Sequence, residues 1–366
     1  MIRYTKVPHS IQILLTNKCN LHCNFCLIDA SNKADKEELN TTEWLKFFER
    51  LKELRIFNIS FSGGEIFLRN DLFVLLKRLR ENRMHRITLL TNGTLITKEI
   101  ANQLSQINIK YISISVDGLE EKHNQLRGGG TFQKTIKAIQ SLINVGIKPQ
   151  ISFTPMRSNY KDLGPLIDFI VSLGIPTIQV NTLSPEGRCL NIYKDIVLEY
   201  PLQVKEVLDV IEEKKKKYPD LKINCELGFY YNLPQSYMYF QKNPQKKYKI
   251  KHLKDGCGAA STSCVITPTG DVIPCEGFST FIGGNIREQD LLDIWNDSKN
   301  FKMIRELSEI AMDQVPYCKD CKYNFLCDGG CRATAYLIYN DLLAPNILCP
   351  FWKGNQIIKK SAIKNV

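Results

Sequence analysis

The segment "IQILLTNKCNLHCNFC" (residues 11–26) joins an apolar run to three closely spaced cysteines. The run "IQILL" (11–15) has the aliphatic composition of a buried β-strand. Cys19, Cys23 and Cys26 follow it in a C-x3-C-x2-C spacing, and no fourth cysteine lies nearby. A structural zinc site or a four-cysteine iron–sulfur cluster needs one ligand more. The segment therefore predicts a strand that carries a metal site with one ligand missing.

Further strand-like runs alternate with segments of helical periodicity. The strand-like runs are "FNISFS" (57–62), "RITLLT" (86–91), "YISISV" (111–116), "PQISFT" (149–154) and "TIQVNT" (177–182). The helical segments include "TTEWLKFFERLKEL" (41–54), "NDLFVLLKRLREN" (70–82) and "TFQKTIKAIQSLINVG" (131–146). Strands that alternate with helices pair in parallel, because parallel strands need crossover connections. Six such units are fewer than a closed barrel needs. We therefore predict an α/β fold with a partial (β/α)6 barrel over residues 1–182.

Polar motifs stand directly after several of the predicted strands. They are "SGGE" (62–65), "TNGT" (91–94) and "SVDG" (115–118). In barrel-like α/β folds, the loops at the carboxyl ends of the strands share one rim, where ligands bind. We therefore expect these motifs and the three cysteines to converge on one site.

The second half of the chain divides into a connector and a cysteine-rich region. We predict a connector over residues 183–255, with a helix near 201–217 and a strand-like "LKINCEL" (221–227). Six lysines and no acid lie between Lys242 and Lys254, which indicates either a solvated face or a docking strip for an acidic peptide. In residues 256–366, Gly, Pro and Cys recur at short intervals and core patterning is weak. This texture predicts a small C-terminal domain in which metal clusters replace part of the core.

Composition limits the classes of function. The net charge of +11 raises the question of nucleic acid, but the basic run has few interleaved aromatic residues or arginines, so we expect no nucleic-acid partner. No stretch of 18 apolar residues and no secretory signal pattern occur, so we expect a cytoplasmic protein without a membrane partner. In a reducing compartment, clustered cysteines indicate metal ligands rather than disulfides. Only Cys189 and Cys225 of the thirteen cysteines stand alone.

The motif "CNLHCNFC" (19–26) resembles the cluster motif of the radical S-adenosylmethionine (SAM) superfamily. The resemblance implies a [4Fe–4S] cluster whose open iron binds the amino and carboxylate groups of SAM. It also implies an activity in which an electron from the cluster breaks SAM to a 5′-deoxyadenosyl radical, which abstracts a hydrogen atom from substrate. By the same resemblance, the cofactor contacts are Phe25, Gly63, Gly64, Glu65, Asn92, Ser115, Asp117 and Asn181. Turn chemistry is the alternative for the Gly, Asn and Asp positions.

The cysteines of the C-terminal region resemble the seven-cysteine pattern of the SPASM domain, which binds two auxiliary [4Fe–4S] clusters. The resemblance assigns Cys257, Cys275 and Cys331 to the first cluster, with Cys264 either as its fourth ligand or as a buried thiol. The ligands that it assigns to the second cluster are Cys318, Cys321, Cys327 and Cys349. A pair of zinc sites is the alternative, because C-x2-C is also a zinc spacing. Including the first motif, the chain is expected to bind three [4Fe–4S] clusters.

Glu276 follows Cys275 directly, at the position where sulfatase-maturating relatives carry an aspartate that is thought to act as a base. It is a candidate general base, or alternatively a partner of the cluster loop.

We predict a radical SAM/SPASM oxidoreductase that modifies a side chain of a ribosomal peptide or protein by thioether or carbon–carbon cross-linking or by oxidation. We expect a peptide or protein substrate, possibly with an acidic leader, and a reductant such as flavodoxin or ferredoxin. Because the barrel starts near residue 11, we expect the basic run, the barrel face or a separate protein to recognise the substrate. The alternatives are a sulfatase maturase, a haem-pathway enzyme that decarboxylates porphyrin propionates, and a non-enzymatic electron carrier. The carrier is disfavoured because it would not need a SAM-binding loop.

Overall fold

The computed structural model describes residues 4–33, 37–54, 56–84, 86–199, 202–227, 229–246 and 251–352. The strands are β1 (Ser10–Leu14), β2 (Asn58–Ser62), β3 (Arg86–Thr91), β4 (Tyr111–Ser115), β5 (Gln150–Phe153), β6 (Thr177–Val180), β7 (Lys222–Cys225), β8 (Ser263–Ile266), β9 (Asp271–Ile273) and β10 (Gly284–Asn285). The α-helices are α1 (Thr41–Leu51), α2 (Leu72–Glu81), α3 (Lys98–Gln106), α4 (Glu120–Arg127), α5 (Thr131–Asn144), α6 (Leu163–Ser172), α7 (Cys189–Ile196), α8 (Leu202–Lys217), α9 (Phe229–Lys242), α10 (Leu291–Asp297), α11 (Lys299–Glu306) and α12 (Arg332–Tyr339).

All ten strands belong to one sheet, in the order β10-β9-β8-β1-β2-β3-β4-β5-β6-β7. The neighbours from β8 to β7 pair in parallel, and only β9 and β10 are antiparallel. The edge strands β7 and β10 lie at opposite ends of this order, so the barrel is open. The predicted α/β fold with a partial barrel is confirmed, and the sheet extends past the six predicted strands.

Alternation along β1 separates two faces of the sheet. Ile11 and Ile13 are fully buried in the main core, which also contains the buried side chains of the surrounding helices. Gln12 points to the opposite face, because successive strand residues alternate. On the helix side, α1 begins with a capping box between Asn40 and Glu43. The sheet therefore has a core face and a face that is free to line a site.

The C-terminal region contributes to the same sheet rather than forming a separate layer. β8 pairs in parallel with β1, and Cys264 lies opposite Ile11 in the register. Partners in a parallel pair point to the same face. Cys264 is therefore on the core face, where it is 1 % exposed.

The basic run of the connector is split by burial. Lys242, Lys246 and Lys251 are exposed, whereas residues 247–250 lie outside the described part of the chain. Lys254 is buried and donates hydrogen bonds to the Ala259 carbonyl (2.7 Å) and the Ser261 hydroxyl (2.8 Å). The prediction of a solvated face or a docking strip is thus wrong for Lys254. None of the described helices is long and apolar enough to cross a membrane.

Candidate functional site

The loop after β1 carries the three cysteines of the first motif. Backbone amides point at two of the sulfurs, from Leu21 to Cys19 Sγ and from Ala30 to Cys26 Sγ, both at 3.4 Å. Burial raises the pKa of Cys19 to about 11, and the thiols of Cys23 and Cys26 add to this shift. Thiolates that lie close together repel one another, which opposes their ionisation. Binding of a metal centre overcomes this repulsion and deprotonates the thiols. Three converging sulfurs with amide donors fit the cluster with one open iron that the sequence predicts.

The loop "SGGE" packs against this cysteine loop. Gly64 donates its amide to Thr16 O (2.7 Å), and Glu65 donates its amide to Lys18 O (2.8 Å). A Cβ atom on Gly64 would lie 2.1 Å from Lys18 O, and one on Gly63 would lie 2.5 Å from Thr16 O. Gly63 also has a φ of +121°, which side chains rarely adopt. These glycines allow the two loops to touch, so they fix the cysteine loop whatever else they contact.

Glu65 connects two of the rim motifs. Its side chain has no exposed surface and accepts hydrogen bonds from the Thr91 hydroxyl at 2.7 and 2.9 Å. The amides of Asn92 (2.9 Å) and Phe67 (3.2 Å) donate to the same carboxylate. Burial raises the pKa of Glu65, while these donors lower it. The carboxylate thus ties "SGGE" to "TNGT", and its contact with the amino group of SAM stays a prediction.

Asp117 is likewise fully buried. Arg127 Nε donates to its carboxylate at 2.6 Å, and the amide of Thr154 donates at 2.9 Å. Asp117 therefore forms a buried ion pair, and its contact with the cofactor stays a prediction. Arg127 escaped the sequence analysis, although it lies four residues after His123 and hence on the same face of α4. Its guanidinium lies 5.4 Å from the centre of the buried Phe25 ring.

The other predicted cofactor contacts lie at the carboxyl ends of strands. Ser115 ends β4 and is half-buried. Asn92 follows β3, and its amide nitrogen donates to Asn20 Oδ1 (3.1 Å) and lies 4.0 Å from Cys19 Sγ. Asn181 follows β6 and donates to Ser152 Oγ at 2.8 Å. All three residues lie at the carboxyl ends of their strands, and Asn92 also contacts the cysteine loop.

Cys257, Cys275 and Cys331, the ligands predicted for the first auxiliary site, lie within electrostatic reach of one another. Burial raises the pKa of Cys275 well above its ordinary value, and Cys257, Glu186 and Cys331 contribute further. The amide of Thr334 donates to Cys331 Sγ at 3.5 Å. Burial likewise raises the pKa of Cys257, and the Lys254 ammonium opposes this shift.

Cys264 lies outside the first auxiliary site. Its thiol is in the main core, on the face of β8 that it shares with Ile11 on β1. Burial raises its pKa to about 12, and the charged group that opposes this shift is Arg305. The prediction of Cys264 as a fourth ligand is corrected to its alternative, a buried thiol.

Cys318, Cys321, Cys327 and Cys349 form the second auxiliary site. Burial raises the pKa of Cys318 to about 11 and that of Cys327 to about 12, and the Cys349 thiol adds to both. The amide of Gly329 donates to Cys327 Sγ at 3.3 Å. Tyr230, Leu233 and Tyr323 pack around this site and exclude water. The structure therefore brings the four predicted ligands together.

In the described part of the chain, no three Cys, His, Asp or Glu side chains lie close enough together to hold a single metal ion.

Three carboxylates, those of Glu276, Glu186 and Asp29, line one cavity beside the first auxiliary site. The cavity has a volume of about 320 Å³ and is lined by Glu276, Glu186, Leu14 and Ile273, among others. Burial raises the pKa of Glu276 to about 7, and Glu186 adds to the shift against a hydrogen bond from Gln12 Nε2 (2.9 Å). Burial also raises the pKa of Glu186, which accepts a hydrogen bond from Ser184 Oγ (2.7 Å). Sequence analysis missed Glu186, because no spacing links it to the cysteines.

A larger cavity of about 460 Å³ lies between the rim after β6 and the first auxiliary site. Its lining includes the apolar side chains of Leu183, Val197, Leu198 and Leu227, together with Cys257 and Cys331. Such a mostly apolar, concave space beside the first auxiliary site can hold a substrate side chain.

Comparison with known families identifies both cysteine regions. The family model of the radical SAM superfamily matches residues 13–170, and that of the SPASM iron–sulfur cluster-binding domain matches residues 257–322. The chain is a radical SAM protein with a SPASM domain. These domains bind SAM and [4Fe–4S] clusters, so this radical SAM enzyme has both as cofactors.

Curated relatives of the radical SAM/SPASM enzyme are named for different reactions. The "AdoMet-dependent heme synthase" of Methanosarcina barkeri is 29% identical over 360 residues, which cover 97% of this chain and 100% of the relative. The "PqqA peptide cyclase" of Granulibacter bethesdensis is 24% identical over 97% of this chain and 90% of its own. The solved structure of Streptococcus suis SuiB with bound S-adenosylmethionine superposes with a TM-score of 0.73 at 22% identity, covering 94% of this chain and 78% of SuiB. At that identity the likeness shows the fold alone.

Proposed function

We propose that this enzyme oxidises or cross-links a side chain of a peptide or protein substrate. The observation that carries the proposal is the charge of the two cavities. Among the described residues that line the larger cavity, Lys254 is the one cation, and it donates to acceptors of its own chain. The other charged lining residues, apart from the cysteines, are carboxylates: Glu226 and Asp328 in the larger cavity, and Asp29, Glu186 and Glu276 in the smaller one. Such walls suit a neutral or basic side chain and repel a polycarboxylate.

The proposed reaction begins at the cysteine loop after β1. Cys19, Cys23 and Cys26 would hold the cluster with which SAM supplies a 5′-deoxyadenosyl radical that removes a hydrogen atom from substrate. The contacts of Gly63 and Gly64 with the cysteine loop hold this loop in place. Asn92, Ser115 and Asn181 would orient the cofactor from the carboxyl ends of β3, β4 and β6, and Asn92 lies near Cys19. The two auxiliary sites would hold the second and third [4Fe–4S] clusters.

Glu276 is the proposed general base. The substrate first loses a hydrogen atom to the 5′-deoxyadenosyl radical. The substrate radical would then lose a proton to a base and an electron to the first auxiliary cluster, so the substrate is oxidised by two electrons overall. Glu276 is adjacent to Cys275 and lines the smaller cavity. Its pKa of about 7 lets it take up a proton at neutral pH.

A haem-pathway activity is the second candidate. Support comes from the AdoMet-dependent heme synthase of Methanosarcina barkeri, because its 29% identity extends over 97% of this chain. Peptide-directed relatives, such as the "PqqA peptide cyclase" and the "Mycofactocin maturase MftC", also align over more than nine-tenths of this chain. The carboxylate walls favour the peptide candidate, because a porphyrin brings propionate charges of the same sign. A sulfatase maturase is less well supported, because Cys264, the candidate fourth ligand of the first auxiliary cluster, is in the core.

A paired turnover assay tests the proposal. The reconstituted, anaerobic enzyme is incubated with SAM, dithionite and either Fe-coproporphyrin III or a library of synthetic peptides that presents each of the twenty side chains. We expect mass spectrometry to show a peptide product that has lost hydrogen atoms, and unchanged Fe-coproporphyrin III. Decarboxylation of the porphyrin, with no change in any peptide, would contradict the proposal and establish the second candidate.

A further inference from the structure

We propose that the carboxylate of Glu186 supplies the fourth ligand of the first auxiliary cluster, beside Cys257, Cys275 and Cys331. This inference goes beyond the proposed function, because it rests on the SPASM cysteines and not on the identity of the substrate. A cubane held by three thiolates has one iron without a protein ligand. Which side chain lies at that position decides whether the cluster is closed.

Cys264 is enclosed in the main core. It lies opposite Ile11 in the register of β8 with β1, and its side chain shares the face of Ile11. Gln12 is the neighbour of Ile11 on β1, so its side chain points to the opposite face. Gln12 donates to Glu276, the residue after Cys275, which places the Glu276 side chain on the face of Gln12. The thiol of Cys264 and the carboxylate of Glu276 therefore lie on opposite faces of the sheet.

Glu186 lies between two of the segments that carry the ligands. Its Oε1 atom is 2.5 Å from the point where a Cβ atom of Gly277 would be, and Ala333 Cβ is 2.7 Å from the same point. Gly277 is two residues after Cys275, and Ala333 is two residues after Cys331. The carboxylate therefore occupies the gap between the Cys275 loop and the start of α12. Any side chain at position 277 would displace it.

The hydrogen bonding of Glu186 leaves it able to bind a metal. Its described hydrogen bond comes from Ser184 Oγ to Oε1 (2.7 Å), and no described cation forms an ion pair with it. Glu186 is half-buried, and a carboxylate that has lost part of its water shell is stabilised by a cation or a metal ion beside it. Glu276, the neighbouring carboxylate, is instead held toward β1 by Gln12. Glu186 is therefore the carboxylate that is free to coordinate iron.

The loop that carries Glu186 is fixed at its other end. A Cβ atom on Gly187 would lie 2.6 Å from Cys26 O, so this glycine packs directly on the radical-site loop. Arg188 donates to Cys23 O (3.1 Å) and Ala30 O (2.7 Å) and pairs with Asp29 (2.7 Å). Glu186 is thus presented by a braced loop, which reduces the conformational cost of binding iron.

The test uses the Cys19→Ala/Cys23→Ala/Cys26→Ala background, in which only auxiliary clusters remain. Electron paramagnetic resonance of the reduced protein is recorded with and without cyanide, a probe that binds an iron lacking a protein ligand. We expect no cyanide effect with Glu186 present. Glu186→Gln keeps the shape and the Ser184 hydrogen bond, and we expect it to shift the g values of one cluster and make them cyanide-sensitive. Glu186→Cys should retain the iron and resist cyanide.

Two matched variants serve as controls. Glu276→Gln changes a carboxylate in the same cavity, and Cys264→Ser changes the other candidate ligand; we expect both to keep the parent spectrum. The proposal is overturned if Glu186→Gln and Glu186→Cys both give the parent spectrum and cyanide response, or if Cys264→Ser alone shifts the g values. Because the readout needs neither SAM nor peptide, its failure is distinguishable from failure of the proposed function.

Discussion

Gly64 lies where the backbone of the "SGGE" loop packs directly against the backbone of the cysteine loop. A Cβ atom there would lie 2.1 Å from Lys18 O and 2.5 Å from Lys18 C, which are backbone atoms that cannot rotate away. We therefore expect Gly64→Ala to displace the segment before Cys19 and to remove the radical-site cluster. Reconstituted variant should lose about four of about twelve irons while the auxiliary clusters remain. Gly129→Ala is the control, because nothing lies within 4 Å of its Cβ position; equal iron loss in both variants would contradict this account.

Glu276 gives a pH-dependent prediction at the same scale. Burial raises the pKa of its carboxyl to about 7, and a base acts only when deprotonated. Product formation per 5′-deoxyadenosine should therefore rise as the pH increases through about 7. Glu276→Gln should still form 5′-deoxyadenosine, with product lowered by roughly 10²–10⁴-fold and without that pH dependence. Undiminished product in the variant excludes the base role, and lost iron would instead indicate a partner of the Cys275 loop.

At the scale of elements, α4 holds the rim after β4. His123 on α4 accepts a hydrogen bond at Nδ1 from the amide of Asp117 (3.2 Å), and Arg127 on the same helix pairs with the Asp117 carboxylate. Burial lowers the pKa of His123 to about 4, and the nearby Arg127 charge lowers it further. The helix therefore depends on a neutral imidazole.

Acid should weaken this element. The unfolded chain binds a proton on His123 near its ordinary pKa of about 6.5, before the folded chain does, so stability is full above that pH and is lost as the pH falls toward 4. Between pH 7.5 and 5.5 the loss from this residue is about 1.4 kcal/mol. We expect urea unfolding of His123→Gln to lack this part of the pH dependence. Identical pH dependence in the two proteins would show that His123 is not the responsible group.

Elements also mark the limit of what could be predicted from the sequence. The six strands and their rim motifs could be predicted, because strand alternation and turn residues are local signals. The face on which Cys264 lies could not, since it depends on the long-range register of β8 with β1. Similarly, the burial of Asp117 depends on Arg127 ten residues away, and that of Glu65 on Thr91. Sequence spacing does not indicate that Asp117 pairs with Arg127 or that Glu65 accepts a hydrogen bond from Thr91.

At the scale of the whole molecule, one sheet joins the radical SAM barrel to the SPASM strands through β8 and β1. The three cysteine sites therefore belong to a single framework. We expect each site to bind its own [4Fe–4S] cluster. Anaerobic reconstitution should give about twelve iron and twelve sulfide per chain, as three cubanes. A content near four iron, measured by colorimetric assay and Mössbauer spectroscopy, would contradict the two auxiliary sites.

The central claim is that Cys19, Cys23 and Cys26 hold the cluster at which SAM is cleaved. The most direct measurement is 5′-deoxyadenosine formation from SAM by the dithionite-reduced, anaerobic protein, compared with the Cys19→Ala/Cys23→Ala/Cys26→Ala variant. We predict that the parent protein forms 5′-deoxyadenosine and that the variant forms none while it retains about eight irons on its auxiliary cysteines. Continued SAM cleavage by the variant would contradict the claim.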